Sequence, residues 1–306
     1  MTLENAPLQN LIETFRRYLE LRDRSSHTVR AYLSDVRQFA AWFTEHTGEF
    51  FTLPTVTEYD VQGWRDHLMA TMKPATVNRK LASLSTLYRW AGETERVEKD
   101  PTRYISGVVQ QKTAPRSLSD QALRRILRQA RLSGNKRDAA LLELLAATGL
   151  RVSEAAGLEV GDLELGERHG WVTVRATKGK GRKQRRVPVH VKARRALWEY
   201  LEERGFDPDE PLADRAEEPL FLSQKSGGTS SYAVWYAVKK YARLAGVENV
   251  TPHTFRHTVA TQLVRDPSVD LVTAATFLGH SRLDTTARYS QPSEKDLVEA
   301  ADRLTG

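Results

Sequence analysis

Apolar residues recur along this 306-residue chain with two periods, and the change from one to the other marks its organisation. After Ser25-Ser26, the residues Val29, Leu33, Val36, Ala40 and Phe43 follow helical spacing, with Ser26 or Thr28 as the cap. That stripe faces a core, and Arg30, Ser34 and Arg37 project away from it. Pro74 suits the first turn of a second helix, whose buried side carries Val77, Leu81, Leu84 and Leu87. The opposite face aligns Arg79, Ser83, Thr86 and Arg89, with Lys80 beside them, a stripe of donors that suits either solvent or a DNA major groove. The first hundred residues therefore read as helical. Residues 101–117 lose the periodicity and contain Pro101 and Pro115, the pattern of a linker. Beyond it, a helix is predicted from about Ser119 to Leu132, then an apolar helix from Arg137 to Thr148 that Gly149 terminates.

The period then falls to two. Trp171 to Ala176 alternates as a strand does, and Arg186-Val187-Pro188-Val189 reads as its partner across a Gly-rich basic turn, with Lys180 at the hairpin tip. Further helices are predicted over 190–204, 230–245, 252–265, 269–278 and 282–289, with a surface loop over 205–218. The expected fold is mainly α with a small antiparallel β-sheet. Trp42, Trp90, Trp235 and Tyr236 read as core residues.

Charge sharpens this picture. The net charge is +7, yet residues 1–104 hold 14 Lys and Arg against 14 Asp and Glu, so the whole excess lies beyond them. Six basic residues crowd into Lys178–Arg186, which reads as a solvated turn or as a contact for a polyanion such as nucleic acid. With no cysteine, disulfides, thiolate zinc sites and cysteine nucleophiles are excluded. The longest apolar stretch, Ala139–Leu150, is far short of a membrane span and is interrupted by Glu143, so a soluble cytoplasmic protein is expected.

The candidate chemistry lies in five short segments: Arg151 in Thr148-Gly149-Leu150-Arg151-Val152-Ser153-Glu154, Lys180 in Gly179-Lys180-Gly181, His253-Thr254-Phe255-Arg256, Leu278-Gly279-His280-Ser281, and Tyr289. Arginine offers a planar fork matched to phosphate oxygens, lysine a point charge that also donates a proton, and histidine either service. A tyrosine beside such a set can attack phosphorus. With a reference pKa near 10, only about one tyrosine in a thousand is ionised at pH 7, a deficit of roughly 4 kcal/mol that nearby cations reduce. Attack loads charge onto the non-bridging phosphate oxygens, where each fixed donor contributes about 2.7–4 kcal/mol in comparable sites. Arg151 and Arg256 suit that clamp.

His253 and Arg256 share a helical face, and His253 is a candidate to accept the tyrosine proton. A leaving sugar oxygen needs a proton, which a lysine on the hairpin can give; Lys178 and Lys180 both qualify by position. Glu154 reads as a carboxylate orienting an arginine or histidine, and His257 as a residue packed behind the site. His253 and His257 have a zinc-compatible spacing but lack the glutamate of His-Glu-x-x-His, so no metal site is expected. Gly179-Lys180-Gly181 is too short for a P-loop, so no nucleotide cofactor is expected.

Taken in order, Arg151, Lys180, His253-x-x-Arg256, Leu-Gly-His280 and Tyr289 resemble the active-site signature of the tyrosine recombinase (phage integrase) family, especially its Xer-like members. The resemblance covers nearly the whole chain. It implies a helical, SAM-like core-binding domain over 1–104, a linker over 105–117 and an α+β catalytic domain over 118–306, closing on DNA as a clamp. It implies cleavage and rejoining of double-stranded DNA at a specific core site through a 3′-phosphotyrosyl link and a Holliday junction, without metal or nucleotide. The expected assembly on two sites is a homotetramer, or a heterotetramer with a related recombinase.

The match of Gly179-Lys180-Gly181-Arg182-Lys183 to the family pattern decides for Lys180 as the acid, and the resemblance gives His280 a hydrogen bond to a phosphate oxygen. The DNA-contact candidates are Arg30, Arg37, Arg79, Lys80, Ser83, Thr86, Arg89, Lys178, Arg182, Lys183 and Arg185. Residues 293–304 read as an amphipathic helix of the kind that docks on a neighbouring protomer in this family. Ser290-Gln291-Pro292 stands where Xer proteins usually have Thr-His, and Ala155-Ala156 where a leucine is usual, which leaves chromosomal and mobile-element roles both open. No arm-site-binding domain is expected ahead of residue 8. Two readings from other classes are DNA relaxation of the type IB topoisomerase kind and a DNA-binding regulator with an inactive site; the intact residue set argues against the second.

Overall fold

The computed structural model describes residues 6–109, 117–175, 184–208, 210–223, 227–280, 283–287 and 289. The chain folds into two compact units, one holding the described residues through 109 and the other those from 117 onward. Both are helical, and a small antiparallel sheet belongs to the second, so the mainly α fold expected from periodicity is the fold observed.

The first unit has helices α1 (Ala6–Leu21), α2 (Ser26–Thr47), α3 (Glu58–Thr71) and α4 (Pro74–Glu93). Ser25, rather than Ser26 or Thr28, caps α2 by accepting the Thr28 N–H, and Gly48 in the left-handed region ends it. Thr57 and Asp60 form a capping box on α3, and Pro74 opens α4. The core is aromatic-rich, with Phe15, Phe39, Phe43, Trp64, Tyr88 and Trp90 buried among Val36, Leu84 and Leu87.

The donor stripe expected on α4 needs correction. Lys80, Ser83 and Thr86 are buried, because Tyr88, Trp90 and Ala91 widen the apolar arc around the helix. Lys80 Nζ donates to Asp35 Oδ1 of α2 (3.2 Å) and to Gln38 Oε1 (2.5 Å), while the Ser83 and Thr86 hydroxyls donate to the carbonyls of Lys80 and Ala82. Asp35, itself buried, also pairs with Arg79. Arg79 and Arg89 stay exposed, as do Arg30 and Arg37 on α2. Arg89 opens on a cleft with Arg22, Arg24, Ser25 and Thr28.

The second unit runs α5 (Asp120–Leu132), α6 (Lys136–Thr148), α7 (Val152–Ala156), β1 (Leu163–Leu165), β2 (Gly170–Val174), β3 (Arg185–Pro188), α8 (Val191–Glu203), α9 (Ser231–Leu244), α10 (Pro252–Arg265), α11 (Leu271–Leu278) and α12 (Leu283–Ala287). Nearly all of α6 is buried, against α5, α8 and α10. The sheet order is β1-β2-β3, with Val172 opposite both Leu163 and Val187. Strand β1, only three residues long, is too short for its alternation to stand out in the sequence. The hairpin tip, including Lys178, Lys180, Arg182 and Lys183, lies outside the described residues, as does the predicted helix over 293–304. Trp235 and Tyr236 are exposed on α9, contrary to expectation, because Val234, Ala237, Val238 and Tyr241 fill its inward arc. No described helix is long and apolar enough to cross a membrane.

Candidate active site

Two glycine-stopped helices deliver the first candidate side chains. Gly149 (φ +60) ends α6, and Arg151 two residues later becomes the N-cap of α7. Gly279 (φ +67) ends α11, and His280 follows at once. Both glycines occupy the left-handed region that a Cβ disfavours. A side chain at Gly149 would meet Val259 of α10 and Leu278 of α11 at 3.2 Å, so the glycine also lets these three helices converge.

Arg256 on α10 joins the two stops. Only 4% exposed, it donates through Nη1 to the Gly149 carbonyl and through Nη2 to the Leu278 carbonyl, both at 2.7 Å. These oxygens lie at the negative ends of two helix dipoles, a favourable place for a buried cation. Burial, and then the charge of Arg151, still lowers its pKa to about 10, which leaves it protonated at neutral pH.

Glu154 gathers the other two arginines. Its carboxylate accepts the Arg151 backbone N–H (2.9 Å), Arg151 Nη1 (2.8 Å), and Arg185 Nη1 and Nη2 (3.2 and 2.9 Å). Burial opposes its ionisation, but the Arg185 hydrogen bonds and the Arg151 N–H outweigh it and hold the pKa at about 2. Arg151 Nη2 also donates to the Gly279 carbonyl (3.2 Å), and Arg185 Nε to the Phe277 carbonyl (3.2 Å). Glu154, expected to orient an arginine or histidine, is thus placed between two arginines. Arg185, expected among the DNA contacts, lies at the same carboxylate. Its side chain, at the start of β3, is only 10% exposed and donates to Glu154 and to the Phe277 carbonyl.

The tyrosine and the histidines complete the cluster. Tyr289 packs against Val259, Ala260 and Leu278, and its hydroxyl lies 2.5 Å from His257 Nδ1. The His280 ring stacks on the Tyr289 ring at 6.4 Å, and its Nδ1 lies 2.8 Å from the Thr286 hydroxyl. Burial, then the charges of Arg256, Arg151 and Arg185, pushes His280 down to about 4, so it is neutral at pH 7. His253, one turn before His257, is exposed, and its ring centroid is 6.4 Å from that of His257. His257, read as packing behind the site, meets the nucleophile candidate, while His253, read as the acceptor of its proton, is exposed. Four residues apart on one helix, they share a face, and the sequence does not tell which turn the tail reaches.

Among the described residues the cluster therefore holds Arg151, Arg185, Arg256, His257, His280 and Tyr289 around the single carboxylate of Glu154. Three guanidiniums against one carboxylate leave net positive charge in a largely buried place, which suits a phosphate with its remaining donors.

The chain matches the "Phage integrase family" model over residues 116–296 and the "Phage integrase, N-terminal SAM-like domain" model over residues 12–94. It is 30% identical to tyrosine recombinase XerC of Syntrophus aciditrophicus (strain SB) over 97% of each chain. With tyrosine recombinase XerC of Thermodesulfovibrio yellowstonii it shares 33% identity over 96% of each. Among solved structures, XerH site-specific recombinase bound to palindromic difH substrate superposes with a TM-score of 0.72 at 22% identity, covering 100% of this chain and 99% of that one. A dimer of lambda integrase residues 75-356 bound to a COC' core site gives 0.70 at 16% identity, covering 94% and 96%. These whole-length likenesses, in sequence and in fold, accompany the convergence of the arginine, histidine and tyrosine motifs on one site. The chain belongs to the phage integrase family, among its Xer-like tyrosine recombinases.

Proposed function

We propose that this recombinase cuts and rejoins duplex DNA at a specific core site with Tyr289 as its nucleophile. The observation that carries the reading is the Tyr289 hydroxyl at 2.5 Å from His257 Nδ1, beside the three clustered arginines. The Tyr289 oxygen bonds to phosphorus as the bond from phosphorus to the 5′-oxygen breaks, giving a 3′-phosphotyrosyl link and a 5′-hydroxyl. The tyrosine proton passes to His257, which takes over the role expected of His253. Lys180 protonates the leaving 5′-oxygen. Arg151, Arg256 and His280 hold the non-bridging oxygens, and Glu154 and Arg185 keep Arg151 in place. The freed hydroxyl of a partner strand attacks the link in turn, so exchange conserves phosphodiester bonds and passes through a Holliday junction.

DNA is gripped by both units, which 105–117 connects: by Arg30, Arg37, Arg79 and Arg89 in the first, and by Lys178, Arg182 and Lys183 in the second. Two core sites are paired by four protomers, with 293–304 docking between neighbours.

The test incubates the protein with nicked DNA carrying its core site. Wild type should give a covalent 3′ adduct without magnesium and Tyr289→Phe none. An adduct in the Phe variant, or one that requires magnesium, would overturn the mechanism. His257→Ala should slow cleavage by about 10²-fold or more, the scale of a lost general base, and more than His253→Ala.

A further inference from the structure

Thr286 takes no part in the chemistry above, yet it touches both ends of the site. It is a fully buried residue of α12. Its hydroxyl lies 2.8 Å from His280 Nδ1, and its carbonyl accepts the Tyr289 N–H at 3.0 Å. Among the described residues its hydroxyl has no other hydrogen-bond partner.

We propose that Thr286 is a positioning residue that selects the tautomer of His280, keeping Nδ1 as an acceptor and Nε2–H as the donor offered to phosphate. A neutral imidazole carries one proton, and the hydrogen bond made by one nitrogen sets the state of the other. Two arrangements satisfy the 2.8 Å contact. If Nδ1–H donates to the threonine oxygen, the threonine hydrogen is left buried without an acceptor, at a cost of about 1–3 kcal/mol. If the threonine donates to Nδ1, both groups are satisfied and the ring proton resides on Nε2. Burial and the nearby Arg256, Arg151 and Arg185 disfavour the doubly protonated ring, so the choice is between the two neutral forms.

The consequence for the reaction rests on the proposed role of His280 as a phosphate donor. A ring with its proton on Nδ1 would turn a lone pair toward an anion. The threonine disfavours that state, and its carbonyl accepts the Tyr289 N–H. One residue thereby couples the donor's protonation pattern to the nucleophile's placement, and it needs both a hydroxyl and burial to do so.

The test uses the full chain labelled with nitrogen-15 in histidine, His280 being assigned by the signal lost in His280→Asn. In DNA-free wild type, Nδ1 of His280 should resonate as an unprotonated ring nitrogen and Nε2 as a protonated one. Thr286→Val, which keeps the shape and removes the hydroxyl, should move both resonances toward tautomer-averaged positions. It should also slow single-turnover cleavage of nicked DNA by roughly tenfold or more while leaving DNA affinity unchanged, and Thr286→Ser should restore both. A protonated Nδ1 in wild type overturns the proposal whatever the variants do, and so does a Val variant that cleaves at the wild-type rate. If wild type forms no Tyr289 adduct, the proposed mechanism fails instead, and the DNA-free spectrum still decides the tautomer.

Discussion

Replacing Glu154 with glutamine removes one charge from the centre of the arginine cluster and keeps the shape. The carboxylate is held near a pKa of about 2 against an ordinary 4.5, and it is only 7% exposed, so solvent screening discounts the coupling little. At 1.36 kcal/mol per pKa unit, the difference corresponds to about 3 kcal/mol of folding stability at pH 7. The native pKa is the lower one, so this stability is present above the ordinary value near 4.5 and is lost as pH falls through about 2. At pH 3.5 about 2 kcal/mol should remain. Glu154→Gln should therefore unfold more readily in urea than wild type by about 3 kcal/mol at pH 7, and the gap should narrow at pH 3.5. Methyl NMR signals of Leu142 and Leu145, both buried in α6, would report on the second unit alone. A gap under about 1 kcal/mol at pH 7, the scale of an exposed pair, would refute the reasoning, as would a gap that does not narrow on acidification.

Other substitutions test neighbouring parts of the argument. Gly279→Ala introduces a Cβ at φ +67 and about 2.7 Å from Arg185 Nη1, so it should cost at least about 1 kcal/mol in urea unfolding and slow cleavage by displacing that guanidinium. Arg185→Met should slow cleavage without changing the salt dependence of DNA binding; a slope reduced by about one would instead mark Arg185 as a phosphate contact. In the first unit, Asp35→Ala strands the buried Lys80 and should cost about 3–5 kcal/mol, while Asp35→Ala with Lys80→Met should recover most of it, as read by urea unfolding.

Local signals are legible in the sequence where the physics is local. The α2 and α6 stripes, the Gly149 stop, Pro74 at the start of α4 and the β2–β3 pairing follow from spacing within one or two turns. What the sequence conceals depends on partners far along the chain. Lys80 reads as a surface cation until Asp35, 45 residues earlier, is seen to meet it in the core. Arg185 reads as part of a basic run until Glu154, 31 residues earlier, accepts both of its terminal nitrogens. His253 and His257 share one face by helical phase, and which of the two Tyr289 meets depends on the path from α11 through α12. Trp235 departs from expectation for another reason: aromatic character does not by itself imply burial, and mostly smaller residues fill the inward arc of α9.

The candidate motifs are more than lists of reactive side chains, because each also ends or begins a helix. Thr148-Gly149-Leu150-Arg151 stops α6 and starts α7, and Leu278-Gly279-His280 stops α11. Each stop leaves carbonyls without intrahelical donors, and such groups need partners when buried. Arg256 supplies donors to Gly149 and Leu278, Arg151 to Gly279, and Arg185 to Phe277. The guanidiniums therefore satisfy helix ends as well as forming the cationic site, and each spends only part of its donor set in doing so. A lysine in place of Arg256 could keep the charge but could not span two carbonyls with a planar fork. Arg256→Lys should accordingly loosen the approach of α6 and α11, seen as faster amide exchange at Gly149 and Gly279 in the DNA-free protein. If exchange there stays at the wild-type rate while cleavage falls, Arg256 acts on phosphate alone and its part in joining the two helix ends is refuted.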